Sequence, residues 1–300
     1  MSIPNPMLHS EGFLAFEEEK LADYNSARVV IQQTPYEHTS SYISGSATGP
    51  AAIIKTSHYV EFYDEELDQE TYKKIGGICT LNPMSFMGLV NKEAVDAIEV
   101  ETTRLLNDGK YVVSLGAEHT VTAGYVAAFK QKYPDLCVLQ LDAHSDLRIE
   151  YEGNSYSHAS VMARVHDMGV PLVQVGIRAQ CKQEADLIKS SDTINTFYAH
   201  QIGQDDAWMD DAIACMGPNV YLTIDTDGFD PAIAPAVGTP EPGGLKWEQT
   251  CRFLKRVCDT RNVVGFDIVE LAPRPGEIIT EYAMAKLCYK ILGYNKQLIK

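Results

Sequence analysis

Six short apolar runs do most to limit what this chain can fold into. They cover residues 28–32, 111–115, 136–141, 172–177, 220–224 and 263–268, and are rich in Val, Ile and Leu. Runs of this length suit strands better than helices. Their apolar residues are nearly continuous rather than alternating, as in strands buried on both faces. Helix-like segments lie near 92–108, 120–132, 158–168, 182–190, 205–215, 246–258 and 279–292, with a shorter one over 51–56 after Gly49-Pro50. Alternating β and α elements of this kind predict an α/β fold, a parallel sheet covered by helices on both faces. No repeat, low-complexity stretch or Pro/Ser-rich linker divides the chain. We therefore expect a single domain over 1–300, with 1–25 as an N-terminal extension.

Three of the strand ends carry acids and imidazoles. Asp142-Ala143-His144-Ser145-Asp146 follows the run 136–141. Successive side chains of a strand point to opposite faces, so these three would converge if the extended form persists. Open α/β sheets also place their ligand sites at the ends of parallel strands. The run 220–224 leads into Asp225-Thr226-Asp227-Gly228-Phe229-Asp230-Pro231, where Asp225 and Asp227 alternate again. Asp230 precedes a proline and reads as a turn or supporting residue. At the third end the chain turns at Gly116 and presents Glu118 and His119. A solvated acidic turn would explain one Asp-x-His pair, and a lone His is more often structural. Three such ends together favour a metal site.

The candidate ligands are His119, Asp142, His144, Asp146, Asp225 and Asp227. Six exceed the needs of one ion that keeps an open position. They suit two ions bridged by carboxylates and solvent, roughly 3.5–4 Å apart. Carboxylate and imidazole without thiolate favour Mn2+ over a structural zinc, so two Mn2+ per chain are expected. Such a pair lowers the pKa of a bridging water and makes hydroxide available near neutral pH.

At these residues the chain resembles the ureohydrolase family of arginases and agmatinases, from about 34 to 287. Gly116-Ala117-Glu118-His119, Asp142–Asp146, Ser157-His158-Ala159-Ser160 and Asp225-x-Asp227-x-x-Asp230-Pro231 look like its signature segments. So do Gly238-Thr239-Pro240-Glu241-Pro242-Gly243-Gly244 and Gly265-Phe266-Asp267-Ile268-Val269-Glu270. Ala117 stands where the family has a second Gly, which leaves the ligand intact. The resemblance implies a three-layer α/β/α sandwich around an eight-stranded, mostly parallel sheet, and a homo-oligomer, trimer or hexamer.

The same resemblance implies the roles of the polar residues. Glu270 would hold a planar guanidinium, which pairs bidentately with a carboxylate. A surface Glu in an ion pair is the alternative. His158 would shuttle a proton to the leaving amine. Asp146 would bind metal and orient the hydroxide, and Thr239 would line the substrate pocket. Arginases carry an Asn two residues after the matching Asp, then a Ser-Gly-Asn-x-His-Gly run that holds the amino-acid head group. Here Arg148 takes the Asn position and Glu152-Gly153-Asn154-Ser155-Tyr156-Ser157-His158 replaces the run. The substrate expected is therefore agmatine, cleaved to putrescine and urea, a step in making polyamines. Arg148 would favour 4-guanidinobutyrate if it faces the substrate, or instead pair with Glu150 or Glu152. An arginase with an unusual clamp, a one-zinc deacetylase of related fold and an inactive metal-binding subunit are the remaining alternatives. The stretches 36–45 and 147–156 lack periodicity and read as site loops, while His38 and His58 read as surface or packing residues.

Composition agrees with a cationic partner. Lys and Arg total 25 against 41 Asp and Glu, a formal net charge of −16. That disfavours nucleic acid and anionic membranes, although solubility alone also accounts for it. Seven cysteines are scattered without a Cys-x-x-Cys pair, with Cys137, Cys215 and Cys288 inside apolar or helical runs. Free buried thiols, no signal-like start and no membrane-length apolar stretch lead us to expect a cytoplasmic protein.

Overall fold

All six apolar runs are strands of one sheet, and two further strands complete it. The computed structural model describes residues 5–203 and 205–299. The strands are β1 (Val29–Thr34), β2 (Ile78–Thr80), β3 (Tyr111–Gly116), β4 (Leu136–Leu141), β5 (Leu172–Ile177), β6 (Ile194–Tyr198), β7 (Asn219–Asp225) and β8 (Asn262–Val269). They lie in the order β2-β1-β3-β8-β7-β4-β5-β6, and every neighbouring pair is parallel. The two strands that sequence patterning missed are the edges. β2 has only three residues, and β6, Ile-Asn-Thr-Phe-Tyr, is mostly half-buried, so neither shows a continuous apolar run. Edge strands face less core and are often short or polar.

Each strand sends alternate side chains to two separate cores. Val112 and Val138 meet Val95, Ile98, Tyr125, Phe129 and Val165 of the helices Lys92–Asn107, Thr122–Lys132 and Val161–Asp167. Val113, Leu115, Leu139 and Leu141 face the other way, toward Ile53, Leu254, Val257, Met284 and Leu287 of the helices Gly49–Ser57, Trp247–Thr260 and Ile279–Tyr294. The helix Trp247–Thr260 shows why the segment packs so. It buries Thr250, Cys251, Phe253, Leu254, Val257 and Cys258, the spacing of one helical face. Burying a residue such as Leu254 stabilises by about 2 kcal/mol. The helix over Gly49–Ser57 has its proline in the first turn, where a missing N–H costs nothing.

The segment before residue 25 is built into the domain. Phe13, Leu14 and Phe16 are buried, and the Phe13 and Leu14 amides donate to Thr80 Oγ1 and Ser57 Oγ. All seven thiols are free; Cys137 and Cys288 are buried, but Cys215 is exposed just past the helix Ala207–Ala214. No helix among the described residues is long and apolar enough to cross a membrane.

Strand order decides where a site can form. β3 and β4 are consecutive in the chain, yet β8 and β7 lie between them. Chain leaving β3 and β4 enters helices of one layer and chain leaving β7 and β8 enters helices of the other, so a crevice opens at the carboxyl ends of β3, β8, β7 and β4.

Candidate metal centre

Each of those four strands delivers a part of the site. Residues after β3 supply Glu118 and His119, those after β4 supply Asp142, His144 and Asp146, β7 ends in Asp225 followed by Asp227, and Glu270 follows β8. The extended form does persist past β4, because His144 bridges in parallel to Ala179 beyond β5. At Asp146 and Glu270 the backbone turns to positive φ, 53° and 62°. Such conformations are unfavourable for residues with a Cβ and concentrate at functional sites. Neighbouring bonds hold both in place. The Asp146 carbonyl accepts from the amides of Met162 and Ala163, and the Glu270 amide donates to Ala117 O at 2.7 Å.

The six candidate ligands form two groups that share Asp142. His119 Nδ1 lies 3.1 Å from Asp142 Oδ2, 3.0 Å from Asp146 Oδ2 and 3.3 Å from Asp225 Oδ2. His144 Nδ1 lies 3.1 Å from Asp227 Oδ2 and 3.7 Å from Asp142 Oδ1. Donor atoms of His119, Asp142 and Asp225, and again of Asp142, His144 and Asp227, are close enough to hold an ion. The acids distort one another's titration. Burial, then Asp227 and Asp142, pushes Asp225 well above the usual carboxylate range. Burial and Asp142 raise Asp146 to about 7. Asp142 itself is held down, because hydrogen bonds with His119 and His144 outweigh its burial.

The partners of His119 show that the residues fit a cation. Its Nε2 lies 2.9 Å from Thr223 Oγ1, whose hydroxyl donates to Asp267 Oδ1 at 2.6 Å. Asp267 also accepts from Thr122 Oγ1 and the Tyr221 hydroxyl and is fully buried. Thr223 spends its hydrogen on Asp267, so His119 must donate through Nε2. That leaves Nδ1 facing three carboxylates, and although burial opposes it, Asp142, Asp146 and Asp225 raise the ring's pKa well above normal. Only a positive charge between them relieves the arrangement. A His ligand whose second nitrogen is fixed by an outer partner is a recurrent feature of metal sites. Oxygen and imidazole donors without thiolate suit a divalent ion of the manganese type.

The cavity over this cluster is lined by Ser40, Ser41, Tyr42, Ile43, His144, Asp146, His158, Asp225, Asp227, Gly238, Thr239 and Glu270. Glu270 Oε1 accepts from the His119 amide at 2.7 Å, and burial and then Glu118 raise its pKa well above normal. Thr239 Oγ1 donates to Asp227 Oδ2 at 3.1 Å. Burial, then His144 and His119, lowers His158 to about 4. Arg148 is absent from the lining. It pairs with neither Glu150 nor Glu152; its guanidinium lies over the Tyr151 ring at 5.3 Å. Asp230 is a turn residue, accepting from the amides of Ala232, Gly243 and Gly244. His58 meets the Gly12 carbonyl, and the His38 ring sits beside Tyr36. Sequence reading overlooked Thr223, Asp267, Thr39 and Tyr42. Thr223 and Asp267 lie inside apolar strands, where a buried polar residue is itself a signal. Also overlooked was Arg178, which donates to the carbonyls of Asp227, Gly228, Glu241 and Pro242 and so ties the turn after β7 and the segment 238–244 to the end of β5.

The arginase family model matches residues 27–293. An N(1)-aminopropylagmatine ureohydrolase from Synechocystis is 41% identical over 284 residues, 93% of this chain and 92% of that protein. An agmatinase from Bacillus cereus is 34% identical, covering 83% of this chain and 85% of its own length. The crystal structure of the agmatine ureohydrolase of Thermoplasma volcanium superposes with a TM-score of 0.82 at 29% identity, covering 96% of this chain and 94% of that one. A match that spans the sheet, both helical layers and every strand end at the site leaves one conclusion: the chain belongs to the arginase family and is a hydrolase.

Proposed function

We propose that the protein releases urea from agmatine, using two Mn2+ that would be held by His119, Asp142, Asp146 and Asp225 on one side and by Asp142, His144 and Asp227 on the other. One observation carries the choice of substrate. The cavity is lined by Asp146, Asp225, Asp227 and Glu270, and no Lys or Arg is among its lining residues. A guanidinium finds carboxylate partners there. With Asp146, Asp225 and Asp227 given to the ions, Glu270 remains for the guanidinium, and the α-carboxylate of arginine or the carboxylate of 4-guanidinobutyrate would be desolvated with no Lys or Arg among the lining residues to pair it. That costs several kcal/mol.

When bound, the two ions supply an acidified water at neutral pH. The chain does the rest. Glu270 holds the guanidinium, and Asp146 orients the water. Water adds its oxygen to the guanidinium carbon, and the bond from that carbon to the alkyl nitrogen breaks. His158 carries one of the water's protons to that nitrogen, and the second, lost by the oxygen as the urea carbonyl forms, leaves with the amine, so urea and an alkylammonium are released. Burial and then the neighbouring His144 and His119 lower the pKa of His158, so the ring is neutral at pH 7 with a lone pair open to the water's proton.

A second reading has specific support. The relative at 41% identity is named for N(1)-aminopropylagmatine, the agmatine skeleton with a longer amine tail. Both readings keep the guanidinium pocket and differ only at the mouth. Urea release from the manganese-loaded protein, measured with agmatine, N(1)-aminopropylagmatine, arginine and 4-guanidinobutyrate, decides between them. Agmatine or its aminopropyl derivative should exceed arginine about a thousandfold in kcat/KM, since each 1.4 kcal/mol is tenfold. A preference for guanidinobutyrate that vanishes in Arg148→Ala would make Arg148 a substrate clamp and refute the proposal.

A further inference from the structure

The loop after β1 carries none of the metal ligands, yet it lines the cavity through Ser40 to Ile43, and Thr39 just before them bonds to His158. The Thr39 hydroxyl stands among three polar groups. Its oxygen is 3.1 Å from Glu118 Oε1 and 3.0 Å from His158 Nδ1, and it accepts the His158 amide at 3.0 Å. Glu118 Oε2 in turn accepts the amides of His38 and Thr39 at 2.8 and 2.7 Å. The two ends of this chain are 79 and 119 residues away from Thr39 in sequence. No periodicity or spacing links them.

We propose that Thr39, held by Glu118, is a positioning residue that fixes His158 as the Nδ1–H tautomer and so turns the Nε2 lone pair toward the cavity. A hydroxyl has one hydrogen to give. Glu118 already accepts through its other oxygen, and a hydroxyl bond to a carboxylate is stronger than one to a neutral imidazole. The Thr39 hydrogen therefore goes to Glu118 Oε1, and the remaining lone pair on Thr39 must receive Nδ1–H. The tautomer of a histidine is set by the bond its other nitrogen makes. Nε2 is left as the acceptor, and it lies 3.4 Å from Ser41 Oγ, another residue lining the cavity. A ring in this tautomer takes a proton at Nε2 and returns it from the same atom without turning over. The far side of the ring is braced as well. Tyr151 meets it edge-on at 5.8 Å and 73°, and Arg148 covers Tyr151.

The proposal rests on the proton-carrying role given to His158 above, and the test separates the two. Three variants serve. Thr39→Val keeps the shape and removes the hydroxyl, and Thr39→Ser keeps the hydroxyl. In Glu118→Gln the amide oxygen retains the two backbone bonds and the amide N–H faces Thr39, which turns the Thr39 hydrogen onto Nδ1. The first readout is the 15N spectrum of the His158 ring in histidine-labelled, metal-free protein at neutral pH or above. The parent and Thr39→Ser should carry the proton on Nδ1, Glu118→Gln on Nε2, and Thr39→Val should show a mixture. The second is kinetics at saturating manganese. Thr39→Val should lower kcat roughly ten- to hundredfold, with KM and bound metal unchanged, and should lower it no further in a His158→Ala background. A parent proton on Nε2, or an equal Thr39→Val loss without His158, overturns the inference. If Thr39→Val does not fold, the Glu118→Gln spectrum makes the same decision. If the parent releases urea from no guanidine, the reaction assigned above is wrong, while the ring spectrum still decides the tautomer.

Discussion

Asp142 is the residue on which the two halves of the metal site depend. One oxygen faces His119, and the other accepts the His144 amide at 2.6 Å. Of the two imidazoles, the Asp227 carboxylate lies against that of His144. Asp142→Asn should therefore reduce metal content at both sites, and Asp227→Asn at one, with circular dichroism unchanged; metal analysis after dialysis distinguishes them. Equal losses in the two variants would mean that Asp142 is not the bridge. His158 lies outside both groups, so His158→Ala should leave metal content alone and lower kcat by about 10²–10⁴. A variant with full kcat removes His158 from proton transfer. The candidate ligands after β4 and β7 were legible because a spacing of two along a strand end is a local property. His158 Nδ1 and His119 Nε2 were assigned partners, Thr39 and Thr223, only by the folded chain.

Strand ends converge only where the backbone allows close approach, and Gly228 marks that limit. A Cβ at this position would lie 2.8 Å from Asp142 N and 3.0 Å from Asp142 Cα. The turn after β7 is thus pressed against the first residue after β4. Gly228→Ala must push the two apart, which overpacking data put at about 1–3 kcal/mol of stability. Asp225 and Asp227 ride on the displaced turn, so metal affinity should fall at least about tenfold, as titration with Mn2+ will show; unchanged affinity would mean that the turn does not set ligand spacing. Gly116 has a similar constraint, since a Cβ there would meet Val121 and Val269 at 2.6 and 2.9 Å. The sequence marks both glycines beside the motifs without showing what presses on them. Helices and central strands were read nearly at their observed bounds, whereas β2 and β6 were not, because a sheet edge buries too little to impose a pattern.

For the whole molecule, the last helix is joined to the chain before the second core by a buried ion pair. Lys290 on Ile279–Tyr294 lies 3.0 Å from Asp64 and 3.0 Å from Glu66, with Lys290 and Asp64 both buried. Lys290→Met leaves the Asp64 carboxylate without its cation and should cost about 3–5 kcal/mol in urea unfolding. Glu66 adds a pH dependence of known sign. Burial raises its pKa, but hydrogen bonds from Lys255, Lys290 and Tyr294 prevail and hold it down to about 2. A folded-state pKa below the ordinary 4.5 stabilises fully above that pH, and the gain is lost as pH falls toward 2. The stability difference between the parent and Glu66→Gln should be constant near neutrality and shrink steadily between about pH 4.5 and 2. A difference independent of pH would show that the charge of Glu66 is not responsible.

The sequence by itself determined the chemistry and the strand ends that carry it. Ligand type is written in the side chains, and which face a residue takes follows from a period of two over a few residues. Only the tertiary structure decided that β8 and β7 would lie between β3 and β4, that Asp142 would stand between His119 and His144, and that Thr39 would stand between Glu118 and His158. Those choices belong to the burial of the whole sheet between its two helical layers. Contacts across the site such as Thr39 with Glu118 and Glu270 with His119 join residues 79 and 151 positions apart, beyond the reach of any local pattern.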